Sequence, residues 1–270
     1  MGKTGVYLSG GGGNGPFDIG FFWALEEAHI PVDYICGTSV GALVGGAATY
    51  LGAYEMFECW KSLTLESVLK IDSSKIRDKK GFIRDLALFK ECFLSCYRKD
   101  PNRFINIEDI HNLLHSELDG NQIKNSEKGF AVGTTEFPGF KNRCIQKEEM
   151  GDRVLDYILA SIYMPIFSHE RRQINGKTYW DLGMFRRYPL EELKKNGCDK
   201  FFVVRTEPNI LHPMELQMAR AFTRDDDVTF VDFKHRPSVL DFSEEMAKYD
   251  LKHGFEETNK VLEKKNSIIQ

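Results

Sequence analysis

The chain has 270 residues, of which 42% are hydrophobic and 28% charged, and its formal net charge is −4. This length and composition suit a soluble globular protein with a sizeable core, and they exclude a disordered chain, a collagen-like repeat and a disulfide-rich mini-protein. The balance of 36 basic against 40 acidic residues carries no whole-chain signature of polyanion binding, so we expect no nucleic-acid partner.

The N-terminal sequence MGKTGVYLSGGGGNG lacks the apolar run of a signal peptide, and no stretch of the chain approaches the ~18 apolar residues of a membrane-spanning helix. The six cysteines are scattered without a CxxC pair. Neither a zinc site nor a disulfide framework is therefore indicated. We expect a cytoplasmic protein with no bound metal.

The first fifty residues alternate short strands and helices, which is the pattern of an α/β fold. Residues 6–9 predict a strand, and a glycine run leads from it into an amphipathic helix that ends before Pro31. Asp18 is expected away from the apolar face of that helix. A second strand is predicted at residues 34–36, followed by a helix of small residues over 42–48.

The middle of the chain differs in composition, because residues 70–104 carry an excess of basic over acidic side chains. Phe82, Leu86, Phe89 and Phe93 recur there at helical spacing. We expect a helical cap inserted at about residues 65–125, forming one wall of an acyl-chain pocket. These apolar side chains would pack the cap onto the body, which we favour, or help a basic amphipathic helix to contact a membrane surface peripherally.

Beyond the cap, the strand pattern resumes at residues 129–137, at a hairpin-like pair around Asn175-Gly176, and at the sequence FFVVRTEP. A C-terminal helical segment is expected over about residues 210–270, with a long polar helix near its end. No linker rich in proline or glycine divides the chain. We therefore predict one domain over residues 1–270 rather than two.

The sequence Gly37-Thr38-Ser39-Val40-Gly41 forms a G-x-S-x-G motif directly after a predicted strand and before a predicted helix. A nucleophilic serine needs such a sharp turn so that its hydroxyl projects above the sheet, and glycine fits best at the crowded positions on either side. The N-terminus of the following helix favours developing negative charge. Ser39 is the candidate nucleophile; an ordinary glycine-rich turn is the alternative.

A run of glycines stands between the first strand and the first helix, where it could supply backbone N–H groups to one cavity: Gly10, Gly11, Gly12, Gly13, Asn14 and Gly15. Such groups can receive a carbonyl oxygen as it becomes an anion. The run also contains the G-x-G-x-x-G spacing of dinucleotide sites. However, Asp33 precedes the second strand, whereas a ribose-binding acid should follow it, so dinucleotide binding is disfavoured.

The segment YWDLGMFRRYP places Asp181 at the end of a predicted strand, with Gly183 two residues later. By itself this pattern is weak, because aspartates are common in solvated turns. Only His212, His235 and His253 follow Asp181, and none stands in a recognisable glycine-flanked loop after a strand. A triad in the order Ser, acid, His is therefore disfavoured.

Taken together, these motifs resemble the patatin-like phospholipase family, which has a glycine-rich motif, a G-x-S-x-G about two dozen residues later and a D-G-[GA] far downstream. The matching stretches are LSGGGGNGPFDIG, ICGTSVGALVGG, DYILASIYMPIFS and INGKTYWDLGMFRRYP. The resemblance implies a three-layer α/β fold, with a mainly parallel central sheet flanked by helices and a helical cap. It departs from the family at Asn14, where a basic residue is usual, and at Leu182, where a small one is.

The resemblance also implies an activity, that of a serine lipid acyl hydrolase acting on phospholipids or other fatty-acyl esters without a cofactor. Ser39 would be the nucleophile and Asp181 the base. The oxyanion hole would be lined by Gly10, Gly11, Gly12 and Gly13. Supporting motif positions would be Asn14, Gly15, Gly37, Thr38, Val40, Gly41 and Gly183. An acyltransferase on the same scaffold and a non-catalytic lipid-binding protein are the alternatives.

Overall fold

The computed structural model describes residues 2–63, 107–163, 173–182, 189–206, 221–223, 226–233 and 241–269. Over these residues the chain forms an eight-stranded sheet. Its strands are β1 (Lys3–Leu8), β2 (Tyr34–Thr38), β3 (Gly129–Phe137), β4 (Lys141–Gln146), β5 (Gln173–Ile174), β6 (Lys177–Asp181), β7 (Cys198–Arg205) and β8 (Asp227–Asp232). The described α-helices are α1 (Gly15–Glu27), α2 (Val40–Ala47), α3 (Ala53–Trp60), α4 (Ile107–Glu117), α5 (Gly120–Asn125), α6 (Lys147–Met150), α7 (Val154–Ile162), α8 (Glu191–Lys195) and α9 (Glu244–Ile269).

The sheet is mainly parallel at its centre. Its strand order is β5-β6-β3-β2-β1-β7-β8, with β4 also paired to β3. The neighbours from β3 through β8 in that order run parallel, whereas β4 and β6 run antiparallel to β3. Parallel strands need helical crossovers that cover both faces. This explains why β2 is buried along its whole length.

Side chains alternate between two cores on opposite faces of the sheet. Along β1, Val6 and Leu8 enter one hydrophobic cluster and Tyr7 enters the other. The first cluster includes Phe17 from α1, and the second includes Leu193 from α8. Because successive side chains of a strand point to opposite faces, the described helices lie on both sides of the sheet, which confirms the expected three-layer α/β fold.

Strand β3 pairs with three other strands, β2, β4 and β6. Its residues 131–133 pair with both β2 and β4, and its residues 134–136 pair with both β4 and β6. A strand residue has only two neighbours across the sheet, one on each edge. Strands β2 and β6 must therefore follow one another along the same edge of β3, with their carboxyl ends meeting head to head, while β4 occupies the opposite edge.

Two strands differ from the sequence predictions. The β8 strand lies inside the segment expected to be helical over residues 210–270, so that expectation was wrong for Asp227–Asp232. Its short sequence DVTFVD alternates, with Val231 in one core and Val228 against the other, and it pairs with β7. Strand β4 was not predicted, since its first residues are exposed and polar, as is common on strands that border a sheet.

The cap is described only in its last part. Residues 107–125 form α4 and α5, whereas residues 64–106, with Phe82, Leu86, Phe89 and Phe93, lie outside the described part of the chain. The cap insertion and its contact with a membrane therefore stay predictions. Among the described helices, none combines the length and apolar character needed to cross a bilayer.

Candidate active site

Ser39 lies in a sharp turn between Thr38, the last residue of β2, and Val40, the first residue of α2. Its backbone has φ 56° and ψ −131°, a conformation that residues with a side chain rarely adopt. Ser39 is the N-cap residue of α2 and only 8% exposed. The positive end of the α2 dipole therefore points at the serine. The structure has the strand–helix turn that the G-x-S-x-G motif predicts.

The two glycines of this motif allow close contacts between backbone segments. A Cβ on Gly37 would lie 2.2 Å from the carbonyl oxygen of Gly41. A Cβ on Gly41 would lie 2.5 Å from the carbonyl oxygens of both Leu8 and Ser9. The first turn of α2 therefore rests directly on the end of β1. This contact brings the start of the glycine run next to the turn that carries Ser39.

Asp181 is the last residue of β6 and is 3% exposed. It pairs with Thr134 of β3, whereas Thr38 pairs with the preceding residue of β3, Gly133. Because β2 and β6 share one edge of β3, the register places Asp181 beside the turn that carries Ser39. The Asp181 N–H donates to the carbonyl oxygen of Tyr163, at 2.8 Å, which ties the end of β6 to the end of α7.

Gly133 is the point at which the two motifs meet. A Cβ on Gly133 would lie 2.6 Å from Thr38 Oγ1 and 3.0 Å from Leu182 Cδ2. The side chains that flank Ser39 and Asp181 in sequence therefore cover the same position of β3. Leu182, which replaces the small residue usual in the family, fills the space that the absent side chain of Gly133 leaves.

The glycine run forms a loop that is pinned to the end of β7. Thr206 Oγ1 donates to the carbonyl oxygen of Gly10 at 2.8 Å, and the Thr206 N–H donates to Ser9 Oγ at 2.9 Å. Asn14 Nδ2 donates to the carbonyl oxygen of Thr206 at 2.7 Å, and the Asn14 N–H donates to that of Gly11 at 3.1 Å. These contacts fix both ends of the loop.

The same contacts fix the direction of two peptide groups. In a trans peptide the C=O and the following N–H point in opposite directions. The carbonyl of Gly10 is directed at Thr206 and that of Gly11 at Asn14. The N–H groups of Gly11 and Gly12 are therefore directed away from these anchors. Gly12 has φ 55°, a conformation that glycine adopts without steric cost.

Asn14 and Gly15 are positioned as structural members of this loop. The Asn14 side chain is 1% exposed and its amide holds Thr206. The residue that replaces the family's usual basic side chain is therefore an anchor of the loop. A Cβ on Gly15 would lie 2.2 Å from the ring of Trp60, so this glycine permits α1 and α3 to pack closely.

Asp18 carries a buried carboxyl whose pKa is strongly perturbed. It lies in the first turn of α1 and is fully buried, although the sequence placed it away from the apolar face of the helix, and neither of its carboxyl oxygens has a hydrogen-bond partner in the described structure. Burial without a partner raises the pKa of the Asp18 carboxyl well above its usual range. The α1 dipole acts in the opposite direction, so desolvation outweighs it.

Sequence reasoning missed three residues that hold this site: Gly133, Ser161 and Thr206. A glycine inside the β-branched strand sequence FAVGTTEF was the available signal for Gly133, since such glycines often mark a close approach. Ser161 stands within the matched stretch DYILASIYMPIFS, where no residue chemistry distinguished it. Thr206 gave no signal, because its partners lie nearly two hundred residues away in sequence.

Some predicted positions and alternatives lie outside the described residues, among them Gly183, His212 and His235. His253 lies on α9 as expected, with its ring stacked on Tyr249. Within the described ranges, no group of three or more His, Cys, Asp or Glu side chains could hold a metal ion.

The family model described as patatin-like phospholipase matches residues 6–194, which include every described position of the three motifs. The chain belongs to the patatin-like phospholipase family. The predicted family is confirmed, and the matched range begins at β1 and ends within α8.

Curated proteins with sequence similarity match the chain only over short stretches. The lysophospholipase nte1 of Emericella nidulans is 55% identical over 43 residues, which are 16% of this chain and 3% of that protein. The lysophospholipase nte1 of Neurospora crassa is 50% identical over 44 residues, again 16% of this chain and 3% of that protein. The chain thus matches only a small part of these longer proteins.

Solved structures resemble the chain over nearly its whole length. VipD from Legionella pneumophila has a TM-score of 0.54 and 14% identity, covering 98% of this chain and 67% of VipD. The type III effector protein ExoU has a TM-score of 0.52 and 14% identity, covering 98% of this chain and 53% of ExoU. At this identity the likeness supports the patatin-like fold alone.

Proposed function

We propose that this patatin-like chain is a serine lipid acyl hydrolase that cleaves fatty-acyl esters, such as those of phospholipids and lysophospholipids, through a Ser39–Asp181 dyad. The observation that carries the proposal is the meeting of β2 and β6 on one edge of β3. It sets a serine with a positive φ, at the N-terminus of a buried helix, beside a buried aspartate. Membership of the patatin-like phospholipase family and the lysophospholipase names of the curated relatives both favour lipid esters as the substrate class.

In the proposed reaction, Ser39 Oγ attacks the ester carbonyl and its proton passes to the Asp181 carboxylate as the tetrahedral state forms. An aspartate is a weak base at neutral pH, so the proton transfer needs help from stabilisation of the developing charge. Collapse of the tetrahedral state expels the alcohol with that proton and leaves an acyl-serine. Asp181 then activates a water that releases the fatty acid and regenerates Ser39.

The developing oxyanion would be received by the glycine loop. The N–H groups of Gly11 and Gly12 are directed away from the anchors of the loop, and the contact of Gly41 with Leu8 and Ser9 keeps the loop beside the Ser39 turn. The N-terminus of α2 adds a fixed positive potential. Preorganised donors of this kind typically contribute about 10²–10³ in rate for each donor.

A fluorophosphonate probe tests the proposal directly, since it phosphonylates activated serines. We expect the wild-type chain to be labelled at Ser39, identified by peptide mass spectrometry, and to release free fatty acid from a lysophospholipid. Ser39→Ala should abolish both. Absence of labelling would favour a non-catalytic lipid-binding protein. Labelling at Ser39 with transfer of the acyl group to an added alcohol, and no free fatty acid, would favour the acyltransferase.

A further inference from the structure

Ser161 contacts the backbone of the nucleophile residue although it belongs to none of the three motifs. It lies on α7 and is fully buried. Its Oγ accepts the N–H of Ser39 at 2.8 Å and donates to the carbonyl oxygen of Gly133 at 2.7 Å. A serine hydroxyl has one proton. Since the Gly133 carbonyl can only accept and the Ser39 N–H can only donate, the direction of both bonds is determined.

The Ser39 backbone needs such support. Its φ of 56° and ψ of −131° persist only where surrounding contacts hold the residue in place. The bond to Ser161 fixes the plane of the peptide between Thr38 and Ser39, and with it the direction of the Ser39 side chain. Gly133 lies beside Thr38 in the sheet and directly precedes the partner of Asp181. One hydroxyl therefore links the serine turn to the strand that aligns both members of the dyad.

We propose that Ser161 is a positioning residue for the nucleophile: it holds the Ser39 turn in its reactive conformation and occupies the Ser39 N–H. That N–H is consequently withheld from the oxyanion, whose donors must come from the glycine loop and from the groups that follow Ser39. This inference rests on the proposed hydrolase function of the same site. It predicts that removing the Ser161 hydroxyl slows the chemical step while substrate binding is retained.

A purely structural hydroxyl with the same bonding pattern exists elsewhere in the chain. Ser126 Oγ donates to the carbonyl oxygen of Thr49 at 2.8 Å and accepts the N–H of Lys128 at 3.1 Å. Ser126 precedes β3, whereas Ser39 follows the parallel strand β2, so the two serines lie at opposite ends of the sheet. Ser126→Ala is therefore a matched control for Ser161→Ala: each removes one hydroxyl that joins two backbone groups.

The experiment measures kcat and KM on a soluble short-chain ester, and the rate of fluorophosphonate labelling, for the wild type, S161A, S161T and S126A. A small displacement of a reacting group can cost about 10²-fold in rate, so we expect kcat and labelling of S161A to fall by roughly 10–100-fold. KM should stay within about twofold, as expected when only the chemical step is affected. S161T, which keeps the hydroxyl, should recover most of the rate, and S126A should match the wild type in kcat.

Two results would overturn the inference. One is a kcat and labelling rate for S161A equal to those of S126A, which would show that both hydroxyls merely stabilise the fold. The other is a Ser39 amide that exchanges with deuterium as fast in the wild type as in S161A. If S161A shows no cooperative thermal transition, S161C replaces it, and a wild-type kcat for S161C would likewise overturn the inference.

Failure of the proposed function has a different signature. If the wild-type chain is not labelled at Ser39, the proposed hydrolase function is wrong. The amide exchange of Ser39 would still report whether Ser161 holds the turn. If the wild type is labelled and S161A reacts equally fast, the proposed hydrolase function stands and only the positioning role of Ser161 is wrong.

Discussion

The two ends of helix α2 are held in different ways. At the N-terminal end, Ser39 has a positive φ and its N–H bonds to the neutral hydroxyl of Ser161. At the C-terminal end, the carbonyl oxygen of Ala48 accepts Lys128 Nζ at 2.7 Å. A cation stabilises the negative end of a helix dipole. The C-terminal end of α2 is thus neutralised by a cation, while the bond at Ser39 leaves the positive potential of the N-terminal end uncompensated, as the proposed hydrolase function requires.

The largest expected effect comes from substitutions at the N-terminal end of α2 and at its proposed partner Asp181. Ser39→Ala and Asp181→Asn should each lower kcat on a fatty-acyl ester by about 10⁴-fold or more, because residues that act as one unit lose most of their effect when either is removed. The double variant should be hardly slower than either single variant. The control is an unchanged thermal midpoint. Near-wild-type turnover by Asp181→Asn would contradict the dyad.

The second largest effect on rate is expected in the glycine loop beside the N-terminal end of α2. Gly12→Val should slow acylation by about 10²–10³-fold, the usual loss for one oxyanion donor. Valine disfavours the φ of 55° found at Gly12, and its side chain would turn the neighbouring N–H groups. The rate of fluorophosphonate labelling measures this step. Gly197→Val is a matched control, since Gly197 also has a positive φ, of 78°, but lies between α8 and β7. Full reactivity of Gly12→Val would remove the loop from the mechanism.

A smaller loss is expected where the loop is anchored. Asn14→Ala removes the bond to the Thr206 carbonyl and should lower kcat by about five- to tenfold, since a neutral hydrogen bond contributes about 1–1.5 kcal/mol net. Asn14→Arg, which introduces the side chain usual in the family, should not recover this rate, because the Asn14 position is buried against Thr206. A rise in turnover above the wild type for Asn14→Arg would show that the position faces the substrate.

Helix α1 offers a contrast in its first turn, where Asp18 is buried without a hydrogen-bond partner in the described structure. Its raised pKa means that the folded chain retains a proton that the unfolded chain releases above about pH 4. The free energy of unfolding should therefore fall as pH rises from about 5 toward the folded pKa. Asp18→Asn should become more stable relative to the wild type by about 1.4 kcal/mol per pH unit over that range. Denaturant unfolding at several pH values measures the slope, and parallel curves would contradict the assignment.

The smallest expected effect is a loss of stability from a substitution at the C-terminal end of α2. Lys128→Met keeps the apolar stem but removes the cation at Ala48, and should lower the free energy of unfolding by roughly 0.3–1 kcal/mol. Turnover should be unchanged, because the substitution lies at the end of the helix opposite Ser39. Thermal unfolding and steady-state kinetics on one preparation compare the two ends directly. A parallel fall in kcat would mean that the ends of α2 are coupled.

Much of the site could be predicted because its members are local patterns. The turn at Ser39 follows from glycines on both sides of one serine, and the loop follows from four successive glycines. Strands β1, β2, β3, β6 and β7 and helices α1 and α2 were likewise anticipated, since their hydrophobic periodicity reflects burial in the sheet and against it. The edge strand β4 was missed because its first residues are exposed and polar, and β8 was missed because its six residues lie inside a segment expected to be helical.

The sequence by itself determined the family, the turn that carries Ser39 and the alternation of strands and helices, because each depends on residues close together in the chain. Tertiary structure decided which residues support the motifs. The bond from Ser161 to Ser39 spans 122 residues and that from Asn14 to Thr206 spans 192. Hydroxyl and amide side chains bond to any backbone group that the fold brings within reach. Their partners are therefore set by strand register and helix packing, and no local pattern encodes them.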